Sequence, residues 1–344
     1  MEDLIKFTDK GIYCPVGDFY IDPWKAVNKA VITHAHSDHA RYGNQQYITP
    51  EDSVPITLHR LGGHIRISGL PYGKSTVING VRITFYPAGH VIGSAQVRLE
   101  YKGKIWVVSG DYKTENDGIC AAFEPVKCHT FITESTFGLP SFKWSAQEQI
   151  FQEIAEWHKK NVENGKASII GTYALGKAQR LLKGLRSSAE RIYVHGAIEN
   201  TNEIFRHQGF DLPAVYKADN RSHPSNFKGA LILCPPSALG SSWVKKFGEA
   251  EESLVSGWMA VRGIRRRRGV DKGFVLSDHA DWEGLNYAVK ATGAESVFVT
   301  HGYTRIFANW LSEQGYDAKV AHTEFGDEED DIMDLASEQS TPPE

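Results

Sequence analysis

Ala30-Val31-Ile32-Thr33-His34-Ala35-His36-Ser37-Asp38-His39 places four metal-binding side chains in the last six positions, in the pattern His-x-His-x-Asp-His. The residues at 30–33 are apolar or β-branched and predict a buried strand. The four polar groups therefore lie where a strand runs out and a helix is expected to begin, a common place for sites in α/β folds. His34 and His36 are two apart in extended backbone, so both imidazoles can face one ion. Asp38 and His39 continue into the next turn and aim elsewhere, which suits a second ion beside the first. Imidazole and carboxylate are the ligands of zinc and similar divalent metals. A histidine-rich solvated loop is the alternative, and the spacing speaks against it.

The same pattern recurs along the chain: a strand, then a reactive side chain. A strand ending at an Asp-Pro corner is expected at 17–23, and Asp22 either orients a ligand histidine or forms a turn. A hairpin around Asn79-Gly80 leads to His90, and another around Lys102-Gly103 leads to Asp111. A strand at 128–133 is followed by Glu134. Near the end of the chain, predicted strands at 273–277 and 295–300 are followed by His279 and His301. Each residue alone could be a cap or a satisfied core group. Several reactive side chains at successive strand ends build a shared site.

The segment between these blocks differs. An amphipathic helix is expected at 145–161, with Ile150, Ile154 and Trp157 on one face. Alternating strands and helices follow, which predicts a small parallel α/β unit. Two helix-entry loops, one with Lys177 and one with Ser237, Ser241 and Ser242, offer groups suited to phosphate oxygens, although for either loop alone capping is the better explanation. The run 262–268 holds five arginines in seven positions. It reads as a surface loop, with Arg262, Arg265 and Arg266 as candidate phosphate contacts. Trp243 and Trp258 are expected in the core rather than stacked on bases.

Composition sets the bounds. A chain of 344 residues exceeds one minimal domain, and its 41% hydrophobic content supplies a packed core. No apolar run reaches the ~18 residues of a membrane span. Four scattered cysteines without a Cys-x-x-Cys pair predict reduced thiols, and the N-terminal residues lack an export signal, so a cytoplasmic protein is expected. The tail 327–344 carries eight acidic and no basic residues; without those eight charges the net −4 becomes +4. A mildly basic body suits a polyanionic ligand, and the tail reads as a solvated, disordered end.

The set His34-x-His36-x-Asp38-His39, His90, Asp111 resembles the metallo-β-lactamase superfamily. With Glu134, an inserted segment, His279 and His301, it resembles that superfamily's nucleic-acid-processing β-CASP branch. The Ser256-Gly257-Trp258-Met259 and Leu276-to-Trp282 segments look most like the bacterial ligase-associated DNA exonucleases, relatives of the crosslink-repair nucleases and the mRNA 3′-end cleavage factor. The resemblance spans residues 22–307. It implies an α/β fold, an αββα sandwich with a smaller inserted α/β domain. The sandwich would begin with residues 1–141, be interrupted by the insertion over residues 142–273, and be completed by residues 274–326, ahead of the acidic tail 327–344. The resemblance further implies two divalent metals, zinc foremost, with manganese or iron as alternatives. One would be held by His34, His36, His90 and Asp111, the other by Asp38, His39, His301 and the shared Asp111. Asp38 is also placed at the reacting centre, with His279 as general acid held by Glu134. The implied function is a DNA exonuclease acting at single-stranded or overhanging 5′ ends beside a DNA ligase, with no membrane partner. Histidine at 301 matches the RNA-cleaving members rather than the crosslink-repair nucleases, so RNA processing is the near alternative. A small-molecule metallohydrolase needs the same ligands but neither the insertion nor the arginine run. A scaffold subunit that has lost its metals would not keep the full ligand set.

Overall fold

A computed structural model of the protein describes residues 3–218, 224–267, 269–321 and 323. The acidic tail lies outside the described residues. The described residues divide into two compact units, one built from 3–143 and 279–323, the other from Trp144–Asp278.

Two mixed sheets form the first unit. One takes six strands in chain order, Lys6–Thr8, Gly11–Cys14, Phe19–Ile21, Lys29–Val31, Gln46–Pro50 and Ile67–Leu70. The other has seven strands, in the order Asp317–Val320, Ser296–Gly302, Thr130–Ser135, Lys104–Val108, Ala95–Tyr101, Val81–Pro87 and Ser75–Ile78. Alternation along these strands gives each sheet two apolar faces. Cys14, Phe19, Ile21 and Val31 of the first sheet pack against Val81, Ile83, Phe85, Val97 and Leu99 of the second. On the second sheet's other face, Phe131, Val297 and Val299 pack against Leu285 and Val289 of helix Trp282–Thr292 and Phe307 and Leu311 of helix Thr304–Glu313. On the first sheet's other face, Ala30 and Tyr47 cluster with Leu61 of helix Val54–Leu61. The layers therefore run helix, sheet, sheet, helix, the arrangement that buries both faces of each sheet.

The expected hairpins form with Asn79 and Lys102 at φ 48° and 47°, each followed by a glycine at positive φ. That is the turn whose twist matches paired strands. Where a helix was expected after His34–His39, the chain makes a single turn, closed by Ala40 N–H donating to the His36 carbonyl at 2.8 Å. Asp38 and His39 lie within that turn, and their side chains aim at Asp111 rather than along a helix face.

The second unit carries a six-stranded, all-parallel sheet, in the order Tyr216–Lys217, Ile192–Val194, Leu231–Cys234, Ala167–Gly171, Ala250–Val255 and Lys272–Phe274. Helix Gln147–Glu163 packs on it through Ile150 and Ile154. A strand at 273–277 was expected to begin the completing segment of the first domain; the strand that forms is Lys272–Phe274. It instead pairs with Ala250–Val255, because Phe274 is buried in the same cluster as Ile170 and Val255. The arginine run, expected as a loop, forms the short helix Arg262–Arg267, anchored by buried Ile264. Among the described residues no helix is long and apolar enough to cross a membrane, and all four cysteines are free thiols.

Candidate metal centre

In the first unit, loops after strands of both sheets carry the polar groups predicted to meet. Backbone conformation sets their aim. Gly89, just before His90, has φ 76°, and a Cβ there would lie 2.3 Å from the Lys113 carbonyl oxygen, so no other residue allows this approach. His301 is a bulged residue. Strand Thr130–Ser135 pairs Glu134 with Thr300 but Ser135 with Gly302, and His301 takes φ 52°. A bulge of this kind re-aims one side chain out of the pleat. It is held by Ser135 Oγ donating to the His301 carbonyl at 2.5 Å.

Three imidazoles and one carboxylate converge. His34 Nε2 and His90 Nε2 each lie 3.1 Å from His36 Nδ1, and Asp111 Oδ2 is 3.6 Å from the first and 3.7 Å from the second. Ligands 2.0–2.1 Å from a tetrahedral zinc are separated by about 3.3 Å, so these four atoms have the spacing of a coordination sphere. Asp38, His39 and Asp111 form a second such group. His39 Nε2 is 3.3 Å from Asp38 Oδ2 and 3.4 Å from Asp111 Oδ2, yet it is buried and makes a hydrogen bond to neither. A buried nitrogen facing two carboxylates without hydrogen-bond geometry fits a cation between them. His301 stands beside this second group: its ring stacks on His39 with centroids 5.6 Å apart, and it lines the same small cavity as Asp38 and His39. Asp111 Oδ2 faces both groups.

The outer partners fix which nitrogens are offered. Thr33 donates its backbone N–H and its hydroxyl to the Asp22 carboxylate, at 2.8 and 2.6 Å. With its proton so used, Thr33 Oγ1 accepts from His34 Nδ1 at 3.0 Å, leaving the His34 Nε2 lone pair toward the cluster. His39 Nδ1 donates to Asp22 Oδ2 at 2.7 Å, which turns His39 Nε2 inward in the same way. Asp22 thus holds the His39 ring directly and the His34 ring through Thr33, and it also takes φ 43° at the corner. Sequence reasoning missed Thr33; its signal was a hydroxyl at the end of an apolar run, directly before the first histidine. Outer partners of this kind typically hold metal affinity up by 10–100-fold. Asp22→Asn is therefore expected to weaken divalent-ion binding by roughly tenfold or more while the fold persists, read by chelator competition. An unchanged affinity would show that Asp22 serves the turn alone.

Charge follows the same design. Burial pushes His34 well below the usual imidazole range, with the neighbouring His39 charge adding to it, so His34 is neutral as a metal ligand requires. Burial also opposes charge on His39, but Asp38, Asp111 and Asp22 override it and hold His39 well above that range. Burial works against Asp38 and Asp111 too, and adjacent His39 nevertheless keeps both carboxyls below theirs. The pocket favours positive charge at this point, supplied by a proton or by a divalent cation. Binding a cation must displace the His39 proton, which the metal-free protein retains to higher pH than an ordinary imidazole. Affinity at the second group should thus rise with pH, by about tenfold per unit for one proton, until the raised His39 value is passed. Titrations with manganese at several pH values would read this; a flat profile would exclude His39 as a ligand.

Glu134 and His279 complete the cluster. Glu134 is buried within strand Thr130–Ser135, not past its end as expected, and accepts from Tyr112 N–H at 2.6 Å. His279 Nδ1 lies 2.9 and 3.2 Å from its two carboxylate oxygens. The His279 ring packs 4.6 Å from that of His90, and its side chain keeps 22% exposure.

The predicted phosphate-binding residues all belong to the second unit. Lys177 departs from expectation: it is buried, with Nζ 3.2 Å from Asp278 and 4.9 Å from the Tyr173 ring centre, and Arg180 bonds the same carboxylate. Two buried cations beside Asp278 neutralise it, so Lys177 is engaged internally. Ser241 caps the short helix Ser242–Lys245, accepting from Trp243 N–H. Ser237 and Ser242 are exposed. Arg265 donates to the Met259 carbonyl, while Arg262 and Arg266 lie exposed on the same short helix. Trp258 is buried, and Trp243 packs between His195 and Phe247.

No family model matches the chain. It is 26% identical over 317 residues to a protein of Opitutus terrae named probable DNA ligase, covering 91% of this chain and 30% of that one. It is 27% identical over 214 residues to an RNase J-like protein of Methanocaldococcus jannaschii, covering 53% and 50%. To the endoribonuclease YSH1 of Gibberella zeae it is 31% identical over 167 residues, covering 48% and 19%. The chain thus spans half or less of the length of these relatives. Among solved structures, a protein of unknown function from Enterococcus faecalis V583 shares the fold, with a TM-score of 0.55 over 79% of this chain and 74% of that one at 11% identity. The ordered motifs from His34 to His301 and these relatives agree with the resemblance to the β-CASP branch of the metallo-β-lactamase superfamily.

Proposed function

We propose that the protein is a two-metal phosphodiesterase that shortens DNA from an end, single-stranded or overhanging 5′ ends foremost, in repair beside a DNA ligase. The observation that carries this reading is Asp111 facing two adjacent ligand groups, with the His279–Glu134 pair alongside. In this reading the helix–sheet–sheet–helix unit is the metallo-β-lactamase sandwich, and Trp144–Asp278 is its β-CASP insertion. His34, His36, His90 and Asp111 would hold one ion, and Asp38, His39, His301 and Asp111 the other. Divalent ions there supply an activated water and positive charge for the phosphate oxygens.

The chain's own residues do the rest. Glu134 binds His279 Nδ1, fixing the ring and favouring its charged form, so that Nε2 carries a proton for the departing oxygen. Asp22 and Thr33 keep the ligand imidazoles in one tautomer. In the second unit, the exposed guanidiniums of Arg262 and Arg266 suit phosphate oxygens. The DNA reading is supported by the relative that matches 91% of the chain and is named a probable DNA ligase. The RNA reading is supported by His301 and by relatives named as RNA nucleases.

Matched DNA and RNA strands labelled at either end, offered with zinc or manganese, test the proposal. Progressive shortening of DNA from its 5′ end is the expected result. Internal cuts confined to RNA would move the protein to RNA processing, and bound metal with neither polymer cleaved would leave a small-molecule hydrolase.

A further inference from the structure

The nuclease reading leaves one surface of the first unit unexplained. Tyr42, three residues past His39, is 65% exposed, the highest value among its large exposed apolar side chains. Its loop is not loose. Arg41 donates to the Trp24 carbonyl at 3.1 Å, Tyr47 Oη donates to the Arg41 carbonyl at 2.8 Å, and buried Asn44 accepts from Val27 N–H at 3.0 Å. An aromatic ring held out into water by a braced loop gains nothing for folding. Beside it stands exposed His64, with ring centroids 6.1 Å apart at 67° and Tyr42 Oη 3.4 Å from His64 Nε2.

The two chain segments that carry the pair are basic in sequence. Residues 40–45 and 58–68 include Arg41, His59, Arg60, His64 and Arg66 and no acidic residue. Arg60, in the last turn of helix Val54–Leu61, donates to the Ala35 carbonyl, between His34 and His36. The Arg60 guanidinium is thereby fixed against the metal loop, four positions before His64 in the chain. Aromatic faces beside cations are how proteins hold unpaired nucleotides: bases stack, and phosphates meet the charges.

We propose that Tyr42 and His64, with Arg60, form a platform that stacks one unpaired base of the substrate strand and holds its phosphate at the entrance to the metal centre. This rests on the nuclease reading and makes the substrate a single strand at that position. Tyr42 is a positioning residue that acts through binding.

The test uses the full-length, metal-loaded protein and a single-stranded oligonucleotide carrying one abasic site moved along the chain, in DNA and RNA forms. Wild type should show one position at which loss of the base raises KM by at least about fivefold with little change in kcat. Tyr42→Leu should raise KM for the intact strand by a similar factor and lose that positional sensitivity, while Tyr42→Phe retains both. A merely structural role would not produce a sensitivity tied to one base. A Tyr42→Leu protein with unchanged KM, or one still sensitive at the same position, overturns the platform. Fluorescence anisotropy on the same strands separates the two claims. Position-dependent binding without cleavage would sink the nuclease reading and keep the platform; cleavage with no such position would do the reverse.

Discussion

Asp111→Ala is expected to abolish phosphodiester cleavage, with activity falling by at least about a thousandfold. Its Oδ2 is the atom that faces both ligand groups, at 3.6 and 3.7 Å from His34 and His90 and 3.4 Å from His39. Removing it takes one ligand from each group. It also leaves His34, His36 and His90 converging without a counter-charge, so positive charge is no longer favoured among them. Metal analysis should show both sites weakened together. Loss of one ion with the other held at wild-type affinity would mean that Asp111 belongs to a single group.

His279→Ala should behave differently. Metal content stays, because His279 stands outside the four-atom convergence and is bound through Nδ1 to Glu134. The turnover rate falls by about 10²–10⁴-fold, the usual contribution of a positioned general acid. Glu134→Gln should fall in the same direction, since an amide cannot favour the charged ring. A substrate whose leaving group needs no proton, such as a nitrophenyl phosphodiester, should lose far less in either variant. His279 also groups with Asp111 and Glu134 at metal-binding distances. If His279→Ala sheds an ion, it is a ligand and the proton donor must be sought elsewhere.

Much of this centre is readable in the chain because its components are local. Most predicted residues lie at or just past the end of a strand of clear β pattern, and a glycine at Gly89 and a bulge at His301 set the angle there. Asp22 cannot be resolved between two roles from sequence, because its partner His39 is seventeen positions away in a turn. Lys177 looks like an open phosphate group for the same reason: the carboxylate that engages it, Asp278, is about a hundred positions further along the chain. The arginine run looks like a solvated loop, since one apolar residue, Ile264, is too weak a periodic signal for a helix. A strand at 273–277 reads as the start of the first domain's completing segment because an apolar strand does not declare its neighbour. Local chemistry is legible; long-range pairing is not.

The decisive measurement is a metal titration of the metal-free protein with cleavage of an end-labelled DNA strand followed at each step. Two equivalents should bind per chain, with activity appearing only as the second is taken up, and with both equivalents weakened in Asp111→Ala. Full cleavage at one equivalent, or with none, would contradict a two-metal centre bridged by Asp111.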